Sequence, residues 1–274
     1  CEGWRPLPLV GSGTIVLGTA TAGHDPGADL RLCWGAPGTN ATIEFGVLVM
    51  RGPSSGADFV CQLGNLCEVD LVGVNIFAGD VVALSHGECG AEIASWMGSN
   101  NPVVIENASM ATFGTLSAGP VGVVTLCWAS APSLEMLVQV SLGTVAGPQR
   151  RDALCTLGIG CEPVLQGVAL GQPRHLGLLA DGQCGAETGA LAVFMGAVGN
   201  PVEGEGNSTH QSHFFGVLVA GELDDYPMCW GNGVQPTGLP VFVGLLSLSG
   251  PARGQRTNCT LGLPCSAEVF GRGL

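Results

Sequence analysis

The sequence predicts an all-β protein built from tandem antiparallel β-sandwich repeats stapled by disulfides. Three observations predict it: short apolar runs punctuated by glycine and proline, a cysteine motif that occurs three times, and twelve cysteines in phase with that repeat. Runs of Val, Leu, Ile and Thr seldom exceed eight residues and are broken by turn residues, 45 Gly and 17 Pro among 274, which opposes long helices. The length suggests about two domains of roughly 100–200 residues each, and low charge with abundant apolar residues allows packed cores. No stretch nears the ~18 apolar residues of a membrane span, so no membrane insertion is expected. Nine arginines and no lysine face 22 acids, and a net charge of −13 disfavours nucleic acid and anionic membrane as partners. The chain begins at Cys1 without a charged-then-apolar leader, so any signal peptide is expected to have been removed or to lie outside this sequence.

The internal repeat sets the organisation. CQLGNLC at 61–67, CTLGIGC at 155–161 and CTLGLPC at 259–265 share the form C-x-L-G-x-x-C, and each is followed six residues on by a glycine, Gly73, Gly167 and Gly271. ECGAEIASWMG at 88–98 returns as QCGAETGALAVFMG at 183–196, both leading to N-P-V. LCWG at 32–35 returns as LCWA at 126–129 and MCWG at 228–231, and Gly-Pro recurs at 52–53, 147–148 and 250–251. These landmarks predict complete sandwich repeats over 53–147 and 148–250, each with six or seven strands and four cysteines. Residues 1–52 then read as the C-terminal half of a split repeat, and 251–274 as the N-terminal part of one. Joined, the two parts fall twelve positions short of a unit, those of FAGDVVALSHGE at 77–88.

VDLVGVNIF at 69–77 resembles the second-strand signature of immunoglobulin-like domains of the transcription-factor-immunoglobulin (TIG) and filamin type. The wider arrangement, C-x-L-G-x-x-C with a later L-C-W, is similar to repeats in large secreted surface proteins of algae and other protists. The resemblance implies tandem immunoglobulin-like sandwiches and no particular activity.

Four cysteines per unit allow three pairings. An immunoglobulin-like cross-sheet bond would join Cys67 to Cys127 and Cys161 to Cys229, leaving Cys61 with Cys89 and Cys155 with Cys184; this is the pairing we expect. Carried to the split repeat, it joins Cys265 to Cys33 and Cys259 to Cys1, at opposite ends of the chain. The local alternative pairs Cys61 with Cys67 and Cys89 with Cys127. Zinc is rejected because the C-x5-C spacing differs from that of structural zinc sites. Four sequons, Asn40, Asn107, Asn207 and Asn258, accompany the cysteines and imply secretion to the extracellular space with N-linked glycans, Asn258 being the least accessible beside Cys259.

No catalytic constellation stands out, so no enzyme and no cofactor are expected. His210 and His213 form H-x-x-H in a polar stretch, 203–213, which reads as a solvated loop. Gly11-Ser12-Gly13 lacks the lysine and helix of a phosphate loop. Asp224 and Asp225 read as a solvated turn, with calcium the competing reading. Trp34, Trp128 and Trp230 read as core residues, with exposed binding aromatics as the alternative. Function is then expected from architecture. The first expectation is a structural subunit of an extracellular filament, such as a flagellar hair or sheath fibre, in which the split sandwich of one copy is completed by an identical neighbour. The second is a segment of a longer adhesin or receptor ectodomain made of tandem immunoglobulin-like repeats.

Overall fold

The computed structural model describes residues 29–35, 43–56, 58–106, 110–131, 135, 138–171 and 174–274. Cys1, Gly11-Ser12-Gly13, Asn40 and Asn107 lie outside them. The described chain is all-β, with a single 3-10 turn at Pro236–Gly238.

It opens on a hairpin, β1 (Asp29–Trp34) with β2 (Ile43–Val49), followed by the short β3 (Gly52–Pro53). Next come β4 (Phe59–Gln62), β5 (Leu66–Asp70), β6 (Gly73–Val74), β7 (Val81–Ser85), β8 (Met97–Ser99), β9 (Val103–Val104), β10 (Met110–Ala118), β11 (Gly122–Ala129) and β12 (Val138–Pro148). One sheet pairs β9, β7, β11 and β12 antiparallel and adds β4 parallel to β12; the other pairs β5, β10 and β8. Their inner faces bury Val69, Leu84, Phe113, Leu116, Leu126 and Val145. β5 shows the alternation that a half-buried strand requires, Cys67 and Val69 inward and Glu68 and Asp70 outward.

The same plan follows in β13 (Ala153–Thr156), β14 (Gly160–Cys161), β15 (Val164–Val168), β16 (His175–Asp181), β17 (Ala190–Leu191), β18 (Met195–Ala197), β19 (Val202–Glu203), β20 (Glu205–Gly206), β21 (His210–Ser212), β22 (Gly216–Ala220), β23 (Asp225–Gly231) and β24 (Val241–Pro251), with β25 (Gly271–Arg272) last. β16, β23 and β24 form the main sheet, again with a parallel first strand, β13 on β24; β14, β22 and β18 form the facing one. The repeat is preserved in detail. A bulge interrupts the strand pairing immediately before the cysteine of L-C-W three times, at Leu32/Cys33, Leu126/Cys127 and Met228/Cys229.

Five disulfides staple the described chain: Cys61–Cys67, Cys89–Cys127, Cys155–Cys161, Cys184–Cys229 and Cys259–Cys265. Cys33 is disulfide-bonded as well, its partner lying outside the described residues. The pairing differs from the expected cross-sheet bonds of Cys67 with Cys127, Cys161 with Cys229, Cys61 with Cys89 and Cys155 with Cys184, and follows the local alternative. The reason lies in strand alternation. Leu126 and Trp128 point into the main core, so Cys127 between them points away from it. There it packs with Val81, Ala83 and Ala129 and meets Cys89 from the loop after β7. Cys229 does the same with Leu179, Leu239 and Cys184. Cys61 and Cys67 both face the main core on neighbouring strands, with Cα atoms 5.1 Å apart, well within bonding reach.

Candidate functional site

The repeated feature with architectural consequences is the joint between units. At the end of β12, Gly147 and Pro148 leave the first sandwich and pair antiparallel with Val168 and Gly167 of β15. Gly52 and Pro53 pair with Val74 and Gly73 in the same way, and Gly250 and Pro251 with Arg272 and Gly271. The glycine six residues after each C-x-L-G-x-x-C is therefore a contact requirement. A Cβ on Gly73, Gly167 or Gly271 would lie 2.3, 2.2 or 2.1 Å from the carbonyl oxygen of Gly52, Gly147 or Gly250. Those three carbonyl glycines all have positive φ, +132°, +146° and +145°, a region that L-residues with side chains rarely adopt. The joint also explains the leucine of the motif. Leu63 packs its side chain on Gly147, and Leu157 packs on Gly250. Through β12 and β15 one sheet runs continuously from the first sandwich to the β20–β21 hairpin of the second.

Side chains reinforce the joints. Arg51 donates from Nη2 to both carboxylate oxygens of the fully buried Asp80, 2.7 and 2.8 Å, and stacks over Phe77. Burial pushes the Asp80 carboxyl up, but the amides of Phe77 and Ala131 and the Arg51 guanidinium outweigh it and hold the group below its ordinary value. Arg150 lies over the Phe242 ring, 4.8 Å from its centre, at a groove of about 500 Å³ also lined by Leu63, Met97 and Pro120.

The β1–β2 hairpin is the second notable surface, because the two sandwiches show what its residues look like when covered. Trp34 corresponds to Trp128 and Trp230 in the repeat, and is 51% exposed where they are 7% and 0%. Phe45 corresponds to Val140 and Val243, and is 54% exposed where they are 5% and 0%. At the other end, residues 252–270 carry the third C-x-L-G-x-x-C without forming a strand, and Leu261, Leu263, Val269 and Phe270 are exposed. Cys259 bonds Cys265 inside this segment. The expected bonds of Cys259 to Cys1 and Cys265 to Cys33, and a covalent filament with them, are thereby overturned.

The remaining predicted residues separate. His210 is exposed on β21, whereas His213 is fully buried with neither ring nitrogen hydrogen-bonded, so the H-x-x-H pair does not converge. Burial pushes His213 down from 6.5 to about 4; the backbone of Arg174 and Gln211 opposes the shift and His175 adds to it. Arg174, also buried, stacks its guanidinium over Trp230. Asp225 is engaged by Arg272, 2.6 Å away, which leaves the carboxylate paired with a cation of this chain. Asn207 and Asn258 are exposed. Among the described residues no group of three His, Cys, Asp or Glu side chains is placed to hold a metal ion, and no helix is long and apolar enough to cross a membrane.

The asparagine of N-P-V is a functional part of the fold that sequence reasoning missed. Asn101 accepts from the Leu84 amide and donates to the carbonyls of Leu84 and Ala94; Asn200 makes the same three bonds with Leu178 and Ala192. Its side chain thus stands in for a neighbouring strand.

No family model matches the chain, nor does any curated protein. Among solved structures it is similar to the teleost fish polymeric Ig receptor (pIgR) ectodomain, at 13% identity and a TM-score of 0.22, covering 70% of this chain and 97% of that one.

Proposed function

We propose that the chain is an architectural segment of a secreted, extracellular ectodomain of the adhesin or receptor kind, whose work is to hold tandem immunoglobulin-like sandwiches in a fixed succession. We divide it into repeats at 53–147 and 148–250, flanked by half-repeats at 1–52 and 251–274. The joint carries this reading: the same Gly-Pro to glycine backbone pairing occurs three times and links successive units by main-chain hydrogen bonds instead of a loose linker. Disulfides at every repeat belong with an oxidising compartment. N-linked glycans are assigned to Asn40, Asn107, Asn207 and Asn258. At Asn207 the side-chain oxygen accepts from the amide and hydroxyl of Thr209, folding the sequon into an exposed turn. Antibody labelling of intact, non-permeabilised source cells tests the reading. Surface or fibre labelling is expected, and labelling only after permeabilisation contradicts it.

The exposure of Trp34 and Phe45, set against the burial of their counterparts, favours a second reading, in which identical copies associate into a filament through the β1–β2 hairpin.

A further inference from the structure

The two sandwiches share a backbone plan, but the outer surfaces of their smaller sheets, β5–β10–β8 and β14–β22–β18, differ in chemistry. Equivalent backbone contacts set the correspondence residue by residue. A Cβ on Gly98 would meet the Thr115 carbonyl and the Ser117 side chain, and one on Gly196 would meet the Val217 carbonyl and the Val219 side chain. The amides of Asn100 and Val198 donate to the carbonyls of Phe113 and Phe215, and those of Asn65 and Ile159 to the carbonyls of Gln62 and Thr156. The outward positions of the first sandwich are therefore Asn65, Asn100, Thr112, Thr115 and Ser117, all polar. In the second they are Ile159, Val198, Phe214, Val217 and Val219, all apolar, and Met195 beside them stands where Met97 does. These six apolar side chains are between 44% and 69% exposed. Outward valine suits a strand, but the same strands form with Thr, Ser and Asn in the sister unit, so folding does not require the apolar set.

We propose that this face is a contact between two copies of the chain, in which the β14–β22–β18 sheets pack on each other about a two-fold axis along β22. The size fits a second copy. Six side chains at these exposures present roughly 600 Å², at the upper end of what monomers leave open, and with the surrounding rim they approach the ~800 Å² per partner that a specific dimer buries. The shape fits as well. Val217 and Val219 project from the central strand with Leu218 inward between them, and Gly160 on β14 and Gly196 on β18 lie beside them, so two such faces can interdigitate as the sheets of one sandwich do. Charge favours the same occupant. Glu162 is exposed at the β14 edge, and Arg253 lies on Met195 at the β18 edge, its Nη2 3.4 Å from Sδ. An axis along the central strand lays the β14 edge of each copy over the β18 edge of the other, so an acidic edge meets a basic one twice. The contact does not use the β1–β2 hairpin, and a two-fold pairing closes on itself at two chains.

Sedimentation equilibrium of the full chain over about a hundredfold concentration range tests the proposal. The unaltered chain is expected to pass from one chain to two. Phe214→Thr, Val217→Thr and Val219→Ser together install the residues that the first sandwich carries at these positions, and a thermal melt checks that the variant is folded. Its dimer should dissociate at a concentration at least about tenfold higher. Glu162→Arg and Arg253→Glu test the edges. Each alone should weaken the dimer about threefold, and the two in one chain should restore it. Equal association of the unaltered chain and the triple variant overturns the face as the contact, whatever size is reached. An unaltered chain that stays monomeric throughout overturns the second copy as its occupant, and a double charge reversal that restores nothing overturns the axis along β22.

Discussion

Acidification should destabilise the second sandwich through one side chain, His213. Its ring lies against Gly204, where a Cβ would come within 2.5 Å of Nε2, and its amide is tied to the Pro163 carbonyl at 3.1 Å. The unfolded chain binds a proton at about 6.5, whereas the folded chain holds the imidazole neutral to about 4. Above 6.5 both states are neutral and the stability is fully present. As pH falls from 6.5 towards 4, the unfolded state alone gains the proton, and stability is lost progressively. At 1.36 kcal/mol per pH unit, the loss from this group is about 3 kcal/mol across that window. Urea denaturation followed by circular dichroism at steps between about pH 7 and pH 4 reads it, with His213→Phe as the reference. The carboxylates titrate alike in both proteins, so the stability difference isolates His213 and should change by about 3 kcal/mol in favour of the variant. Parallel stability curves would refute the reasoning, as would a His213 resonance titrating near 6.5.

Asn101→Asp replaces a side-chain amide nitrogen that donates to two carbonyls with an oxygen that repels them, so a loss of about 1–3 kcal/mol in denaturant unfolding is expected, and the same at Asn200. Gly167→Ala places a methyl against the Gly147 carbonyl oxygen; hydrogen exchange at the Gln149 amide, which donates across the joint to the Gln166 carbonyl, should accelerate while the β11 amides stay protected, and unchanged exchange would count against the joint as described. Removing Cys89–Cys127, whose cysteines are 38 residues apart, should cost about 4 kcal/mol by loop entropy, and removing Cys61–Cys67, six apart, about 2. Equal costs in thermal or denaturant unfolding would contradict that ordering.

The all-β plan was legible because glycine and proline interrupt every apolar run, and the repeat was legible because its landmarks sit on strands that must keep register. The disulfide pairing was readable too, but through a different rule from the one applied. L-C-W puts a cysteine between two large apolar residues, and if leucine and tryptophan point inward the cysteine cannot. The glycine after C-x-L-G-x-x-C was visible as a letter, yet its cause is a carbonyl of the preceding unit, which no local pattern reveals. The N-P-V asparagine was hidden for the same reason, since its three bonds go to Leu84 on β7, seventeen residues away, and to Ala94, seven away. His210 and His213 looked equivalent in H-x-x-H; the strand pairing of 210–212 and the packing against Gly204 separate them. The Arg51 bond to Asp80 crosses a unit boundary and could be found only by placing both ends.

The central claim, that successive sandwiches are fixed to one another by backbone pairing at the Gly-Pro joints, is tested most directly by residual dipolar couplings measured separately for amides of 59–146 and 153–249. One alignment tensor of common magnitude and orientation should fit both sets. Two tensors, with one reduced by averaging, would contradict the account.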